Sequence, residues 1–191
     1  MTIPACKKCN NTFSKDEEYF LNILVEIATS ERLQSKKSDG GSIDRARKRN
    51  PSIYHKISET FTLDKDGRIY LKPELDRLYK VIEKNAVGLY YLKYKKRRLL
   101  NDFKCTGLYA IAIEDNRPAD IFMMTYTERF KLKKWHFIQW DVFAFIVVRN
   151  WKDGKLNMIM NIYNTLWCVI ELKFPLRTKS ANPQQLGLFS K

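Results

Sequence analysis

The hydrophobic pattern of this 191-residue chain changes its period near residue 105. Before that point, apolar residues recur at the three- and four-residue spacing of helices buried on one side. After it, β-branched and aromatic residues dominate, as is typical of strands. The pattern predicts an α+β fold in which an antiparallel sheet packs against a long central helix. The length suffices for one hydrophobic core, or for one core and a small N-terminal module.

Two helices are predicted before residue 105. Ser14 and Glu17 have the spacing of a capping box, so the first helix is expected to begin near Lys15. Its buried face would consist of Phe20, Ile23, Leu24 and Ile27. The second helix follows Pro73, and its buried stripe would consist of Leu75, Leu78, Ile82, Ala86 and Leu89. Gly88 either permits a close crossing or marks the end of this helix.

Strands and a loop account for most of the remaining chain. Residues 61–63 and 69–71 flank the turn residues Asp66 and Gly67, which predicts a hairpin. Asp153 and Gly154 form a second turn of this kind. Residues 35–51 are polar, basic and glycine-containing, which indicates a loop or hinge. Five later segments have strand composition: 108–113, 121–127, 135–148, 156–163 and 166–174.

Cys6 and Cys9 have the spacing of one half of a zinc site. A C-x-x-C turn places both thiolates on one side of a tight loop, at the separation that tetrahedral zinc requires. Only five residues precede Cys6, so the second pair of ligands is missing and the site is incomplete. The alternative is a pair of ordinary free thiols. A thioredoxin-like redox pair is disfavoured, because no strand precedes the motif.

The segment from Ile3 to Phe20, which contains both cysteines, resembles the second half of the motif of a bacterial HNH-endonuclease-like family. Val87-Gly88-Leu89-Tyr90-Tyr91 and the aromatic residues at 142–145 also resemble that family. The resemblance implies that Cys6 and Cys9 bind structural zinc and that Asn10 helps to hold a catalytic Mg²⁺ or Mn²⁺. The first cysteine pair and the general-base histidine have no counterpart here. The chain as written is therefore expected to be inactive or impaired as a nuclease.

Two explanations of the missing half stay open. Met1 is an internal methionine of a longer protein, or the chain is a remnant that kept a fold and lost its chemistry. The complete form would hydrolyse DNA phosphodiesters with a divalent metal. The alternative function is a non-catalytic nucleic-acid-binding protein or an adaptor for the replication clamp. A homodimer would supply the ligands that complete the zinc site.

The charge of the chain indicates a polyanionic partner. Lysine and arginine outnumber aspartate and glutamate by 35 to 21, which gives a formal net charge of +14. The excess lies in three clusters: Arg45, Arg47, Lys48 and Arg49; Lys93, Lys95, Lys96, Arg97 and Arg98; and Arg129, Lys131, Lys133 and Lys134. Tyrosines precede the second cluster and Trp135 follows the third, as suits contact with phosphates and stacking on bases.

Other readings of these clusters remain. A single charge cluster is usually a solvated face, but three of them favour DNA binding. RNA is a weaker alternative, because basic and aromatic residues do not distinguish the two polymers. An anionic membrane surface is disfavoured, because no cluster lies on a long amphipathic helix with a free apolar face.

The remaining cysteines and histidines carry little chemistry. Cys168 lies between Trp167 and Val169 and is expected to be a small buried side chain, far in sequence from Cys105. His55 and His136 are isolated, so each is expected to be a surface or core histidine. No apolar run reaches the roughly 18 residues of a membrane span, and no secretion signal is present. Four cysteines, two of them in a metal-like pair, fit a reducing cytoplasm.

The C-terminal residues 175–191 are predicted to form a flexible tail. The tail carries Gln185-Leu186-Gly187-Leu188-Phe189, which is similar to the bacterial sliding-clamp-binding motif, although Gly187 replaces the usual serine or aspartate. In that resemblance Gln185 hydrogen-bonds at the rim, while Leu186, Leu188 and Phe189 fill an apolar cleft. The alternative is a tail that folds back on the sheet. The predicted organisation is a zinc turn and helix (1–34), a basic linker (35–52), an α+β domain (53–174) and the tail.

Overall fold

The computed structural model describes residues 7–27, 35, 40–63, 65, 69–110, 135–139, 142–149 and 155–174. Its helices are α1 (Lys7–Ile27), α2 (Ser42–Arg49), α3 (Pro51–Ser58) and α4 (Leu75–Tyr94), with a 3₁₀ turn at Leu100–Asp102. Its strands are β1 (Phe61–Leu63), β2 (Ile69–Leu71), β3 (Phe103–Ala110), β4 (His136–Gln139), β5 (Phe143–Arg149), β6 (Leu156–Ile162) and β7 (Leu166–Leu172). The predicted α+β class is confirmed.

The strands form two antiparallel sheets. β1 and β2 pair as the predicted hairpin, with Phe61 opposite Leu71. The larger sheet has the order β3-β7-β6-β5-β4. All seven residues of its central strand, β6, are buried. The turn residues Asp66, Gly67, Asp153 and Gly154 and the predicted strand at 121–127 lie outside the described residues.

The central helix α4 packs on one face of this sheet, as the helical stripe predicts. Leu78, Ile82 and Ala86 are buried in the same core cluster as sheet residues such as Phe103, Phe145 and Met158. Leu75, the first residue of the predicted stripe, is instead 42% exposed.

The ends of α4 differ from the prediction by a few residues. The helix begins two residues after Pro73, with Glu74 as its N-cap. Gly88 is buried inside the helix, which continues to Tyr94. Gly88 therefore does not mark the end of the helix. Glu83 links the helix to the sheet, because its carboxylate accepts a 2.9 Å hydrogen bond from the backbone N–H of Cys105.

Helix α1 begins at Lys7, eight residues before the predicted start at Lys15. The capping-box interpretation is wrong, because the Ser14 hydroxyl donates a 2.9 Å hydrogen bond to the carbonyl of Asn11 within the helix. A serine side chain that bonds back to the preceding turn is compatible with a continuing helix. The predicted buried face is confirmed at Phe20, Ile23, Leu24 and Ile27.

Polar contacts fix α1 against α4. The Tyr19 hydroxyl accepts a 2.9 Å hydrogen bond from the backbone N–H of Glu74 and so satisfies one donor at the start of α4. Arg77 pairs with Asp16 at 2.7 Å, and its guanidinium lies 4.2 Å from the Tyr19 ring centre. Lys84 pairs with Glu17 at 2.5 Å. Asp16 and Glu17, in the middle of α1, are thus engaged by cations of the central helix.

The predicted loop at 35–51 is wrong over residues 42–49, which form α2. Asp44 lies in the first turn of α2 and three basic residues lie in its last turn, an arrangement that the helix dipole favours. Ile43 is buried and anchors the helix. A single residue, Asn50, separates α2 from α3.

The second face of the large sheet has its own small apolar cluster. Ile146, Val148 and Ile159 are buried there, and Trp135 and Trp167 pack against them. The two indole rings meet edge to face with centres 5.8 Å apart. Among the described helices, none combines the length and apolarity needed to cross a bilayer.

Candidate nucleic-acid interface

The first basic cluster lies on α2, and one of its members serves the fold. The Arg47 guanidinium pairs with Glu26 at 2.6 Å and donates a 2.9 Å hydrogen bond to the Asn22 side chain. It also lies 5.3 Å from the ring centre of Tyr54. The side chains of Arg47 and Glu26 are only 14% and 11% exposed. Arg47 therefore joins α2 to α1 and is a poor candidate for contact with phosphate.

The other members of this cluster are exposed. Arg45 donates a hydrogen bond to the carbonyl of Gly40, and Arg49 donates one to the carbonyl of Arg45. Lys48 pairs with Asp44 at 2.9 Å. This hydrogen bond, with one from the backbone N–H of Gly40, lowers the pKa of the Asp44 carboxyl. One acid thus accompanies the three exposed cations of α2.

The second cluster begins with Lys93 in the last turn of α4 and continues beyond the end of the helix. A cap fixes the backbone where the helix ends. Lys95 is the C-cap, with a left-handed φ of 55°, and its backbone N–H bonds to the carbonyl of Tyr91 at 2.8 Å. Residues 93–98 contain five basic residues and no acidic one. Lys93, Lys95, Lys96 and Arg97 are exposed. We call residues 95–97 the basic loop.

Arg98 leaves the basic loop and packs inward. Its guanidinium lies 3.9 Å from the ring centre of Phe174, a cation–π geometry. Phe174 contacts Tyr90 and Phe103 edge to face, at 5.2 and 5.7 Å between ring centres. Arg98 is therefore a positioning residue that ties the loop to an aromatic cluster, rather than an exposed phosphate ligand.

The structure does not describe the third basic cluster. Arg129, Lys131, Lys133 and Lys134 lie outside the described residues, as does the clamp-like segment with Gln185, Leu186, Leu188 and Phe189. Both remain predictions from the sequence.

The residues implied by the HNH resemblance are only partly described. Cys6 lies outside the described residues, and the side chains of Cys9 and Asn10 are not described. The backbone at Cys9 and Asn10 belongs to the first turns of α1, and not to a loop that precedes the helix. Among the described side chains, no group of three histidine, cysteine or acidic residues could hold a metal ion. The described part of the chain thus provides no completed zinc or magnesium site.

His55, His136 and Cys168 have the predicted environments, and Cys105 is buried as well. His55 is exposed on α3, and His136 is half-buried with its ring 5.2 Å from that of Phe145. Cys105 and Cys168 are buried free thiols. Burial raises the pKa of Cys105 from 9.0 to about 12, and it raises the pKa of Cys168 as well. Neither thiol is a nucleophile near neutral pH, because the thiolate is the reactive form.

Three exposed lysines that the sequence clusters omit lie near the basic loop. Lys104 belongs to β3, Lys155 precedes β6, and Lys173 follows β7. Lys104 and Lys173 each stand between two buried apolar residues, a pattern that the sequence itself carries. Their proximity depends on strand register, which the sequence does not reveal.

Comparison with known proteins identifies no relative of this chain. No protein-family model, curated protein or solved structure matches the chain.

Proposed function

We propose that this chain binds nucleic acid, with DNA as the expected polymer, through the basic loop at the end of the central helix. The observation that carries the proposal is that Lys95, Lys96 and Arg97 are exposed side by side on a fixed backbone. A net charge of +14 supports the same partner, because phosphate neutralisation supplies most of the affinity of sequence-independent binding.

A fixed backbone favours binding because little of the loop has to be ordered when the ligand arrives. The helix cap holds Lys95 at one end, and the packing of Arg98 on Phe174 holds the other. Beyond Arg98, the Asp102 carboxylate accepts a 3.0 Å hydrogen bond from the backbone N–H of Leu99. The three exposed cations thus project from a frame anchored on both sides.

The test is the affinity for a fluorescent DNA duplex of about 20 base pairs, measured by anisotropy at several salt concentrations. If six to ten phosphates are contacted, the affinity falls by roughly 10³ to 10⁵ between about 50 and 200 mM salt. The variant Lys95→Gln/Lys96→Gln/Arg97→Gln should reduce the slope of log affinity against log salt by about two to three.

The matched control is Lys15→Gln/Lys56→Gln/Lys80→Gln, which removes the same charge from three exposed lysines on α1, α3 and α4. We expect this control to bind almost as the wild type does. Binding that is insensitive to salt, or an equal loss in both triple variants, would contradict the proposal. Single-stranded DNA and RNA of equal length show which polymer is preferred.

Metal-dependent phosphodiester hydrolysis, implied by the HNH resemblance, stays a prediction for the complete form. The zinc content of the purified protein and a plasmid-nicking assay with Mg²⁺ or Mn²⁺ test it. Bound zinc with Cys6 and Cys9 as ligands, in one chain or across a homodimer, would support the resemblance. Nicking that is lost in Asn10→Ala would support a nuclease. If the protein neither holds zinc nor nicks the plasmid, nucleic-acid binding without catalysis is the function that is left.

A cytoplasmic location is part of the proposal. Cys105 and Cys168, the two cysteines whose side chains are described, are free thiols, which fits the reducing compartment predicted from the cysteine usage. A labelled full-length protein, localised by fractionation of the source cell, checks this assignment.

A further inference from the structure

Three lysines that are far apart in sequence meet at one end of the large sheet. Lys104 of β3 lies directly opposite Glu171 of β7. Leu156 of β6 lies opposite Leu172 of β7. Because the strands are antiparallel, Lys155, just before Leu156, and Lys173, just after Leu172, are neighbours. We call Lys104, Lys155 and Lys173 the sheet-end lysines.

The alternation of burial places these lysines on the sheet face opposite α4. Phe103 and Cys105 are buried on the helix side, whereas Lys104 between them is exposed. Leu172 and Phe174 are buried, whereas Lys173 between them is exposed. The ladder continues to this point, because the backbone N–H of Lys173 donates a 2.9 Å hydrogen bond to the carbonyl of Asp102.

Glu171 lies among the sheet-end lysines. Its two carboxylate oxygens are each 3.1 Å from Lys155 Nζ. The side chain of Glu171 is 26% exposed and that of Lys155 is 52% exposed. Such a surface ion pair contributes little to folding stability. Lys104 and Lys173 are exposed beside this ion pair.

Contacts made by neighbouring residues connect the sheet-end lysines to the basic loop. Arg98, the residue after the loop, lies over Phe174, the residue after Lys173. Asp102 bonds to Leu99 through its side chain and to Lys173 through its carbonyl. The end of the central helix and the ends of β3 and β7 are therefore neighbours in the fold, and the sheet-end lysines lie on the face of the sheet opposite α4.

We infer that the sheet-end lysines extend the interface of the basic loop, and that together they bind the phosphodiester backbone of nucleic acid. This inference rests on the function proposed above. The contacts would be to phosphates and independent of base sequence, because lysine ammonium groups bind phosphate as point charges. Glu171 would lower the affinity, because it places a negative charge next to the bound backbone.

Nucleic acid fits this surface better than a lipid bilayer does. Membrane docking combines basic residues with an apolar face that enters the headgroup region. The apolar residues of the same sheet face, Ile146, Val148 and Ile159, are buried and not available to enter a bilayer. The neighbours of the sheet-end lysines on that face are polar: Glu171 and, opposite it on β6, Asn157. Anionic vesicles nevertheless serve as a competing ligand in the test.

The experiment measures duplex binding by the full chain with Lys104→Gln/Lys155→Gln/Lys173→Gln. We expect the salt slope to fall by about two to three, and the affinity at about 50 mM salt to fall at least tenfold. The control Lys15→Gln/Lys56→Gln/Lys80→Gln carries the same net charge and should lose much less. Unfolding curves of all variants establish that the exposed substitutions leave the fold intact.

A second variant has the opposite expected sign. Glu171→Gln removes the acid and should raise the affinity by about two- to fivefold at low salt. The control Glu59→Gln makes the same charge change at an exposed position after α3 and should have a smaller effect. A purely structural role for Glu171 predicts no gain in affinity.

The outcomes separate this inference from the proposed function. If the basic-loop variant loses affinity while the sheet-end variant behaves like its control, the inference is overturned and the function stands. If the wild type shows no salt-dependent binding to nucleic acid, both are overturned. Sheet-end substitutions that weaken vesicle binding and leave duplex binding unchanged would assign these lysines to a membrane.

Discussion

Arg47 and Glu26 form a 2.6 Å ion pair between α2 and α1. The sequence predicts that Arg47 lies in a basic linker and Glu26 in a separate N-terminal segment. The pair is mostly shielded from water, and Arg47 also bonds to Asn22 on α1. The basic segment around α2 is therefore fastened to the N-terminal helix. Its most buried cation serves packing rather than ligand binding.

Replacing Arg47 should destabilise the protein. Arg47→Met keeps much of the side-chain volume but removes the guanidinium from Glu26 and Asn22 in a mostly buried position, so we expect the free energy of unfolding to fall by about 2 kcal/mol. Urea unfolding followed by circular dichroism measures the change. The control Arg49→Met, at an exposed position of the same helix, should change stability by less than about 0.5 kcal/mol. Equal effects of the two variants would contradict this role of Arg47.

Arg98 should also matter more for stability than its neighbour Arg97. Arg98→Lys keeps the charge but loses the planar stacking on Phe174, which should lower the free energy of unfolding by about 1 kcal/mol. Arg97→Lys is the control, because Arg97 is exposed. Chemical unfolding of both variants checks the expectation. It fails if the two substitutions have the same effect.

The buried thiols should resist modification. In a variant with Cys6 and Cys9 changed to serine, we expect Cys105 and Cys168 to react with a disulfide reagent at pH 8 far more slowly than in denaturant. Burial keeps both thiols protonated and inaccessible. The kinetics of thiol titration in the folded and urea-unfolded protein provide the measurement. Rapid reaction of the folded protein would show that these sites open.

The Cys105 thiol should also make stability depend on pH in the alkaline range. Its pKa is about 12 in the folded protein against an ordinary value of 9.0, so the unfolded chain loses this proton first as the pH rises. Stability is therefore complete below about pH 8 and declines between about pH 9 and 12, by up to about 1.4 kcal/mol per pH unit for this group. In Cys105→Ala the decline should be shallower. Parallel pH profiles of the two proteins would refute this cause.

The clamp-like segment provides a test that is independent of DNA. If the resemblance holds, Phe189→Ala should abolish binding to a bacterial sliding clamp, because the phenyl ring would fill its apolar cleft. DNA affinity should not change, since the substitution leaves the basic loop and the sheet-end lysines intact. Surface plasmon resonance with an immobilised clamp measures the first property. Undiminished clamp binding by the variant would remove this hypothesis.

Periodic patterns predicted the elements whose burial is regular. The spacing of Leu78, Ile82 and Ala86 indicated the buried face of α4, and β-branched and aromatic composition indicated the strands. Cys168 was correctly predicted to be a small buried side chain. The start of α1 was missed because a serine followed three residues later by a glutamate occurs inside helices as well as in capping boxes, as Ser14 and Glu17 do here. Helix α2 was missed because charged residues dominate it and only Ile43 is buried.

The candidate interface divides in the same way. The sequence by itself determined the α+β class, the excess of positive charge and the basic loop, because composition and local periodicity report these properties directly. Only the tertiary structure decided that Arg47 and Arg98 pack inward, and that Lys104, Lys155 and Lys173 meet beside the loop. Those outcomes depend on strand register and on contacts between distant segments. Local sequence patterns do not report the free energies of such long-range contacts.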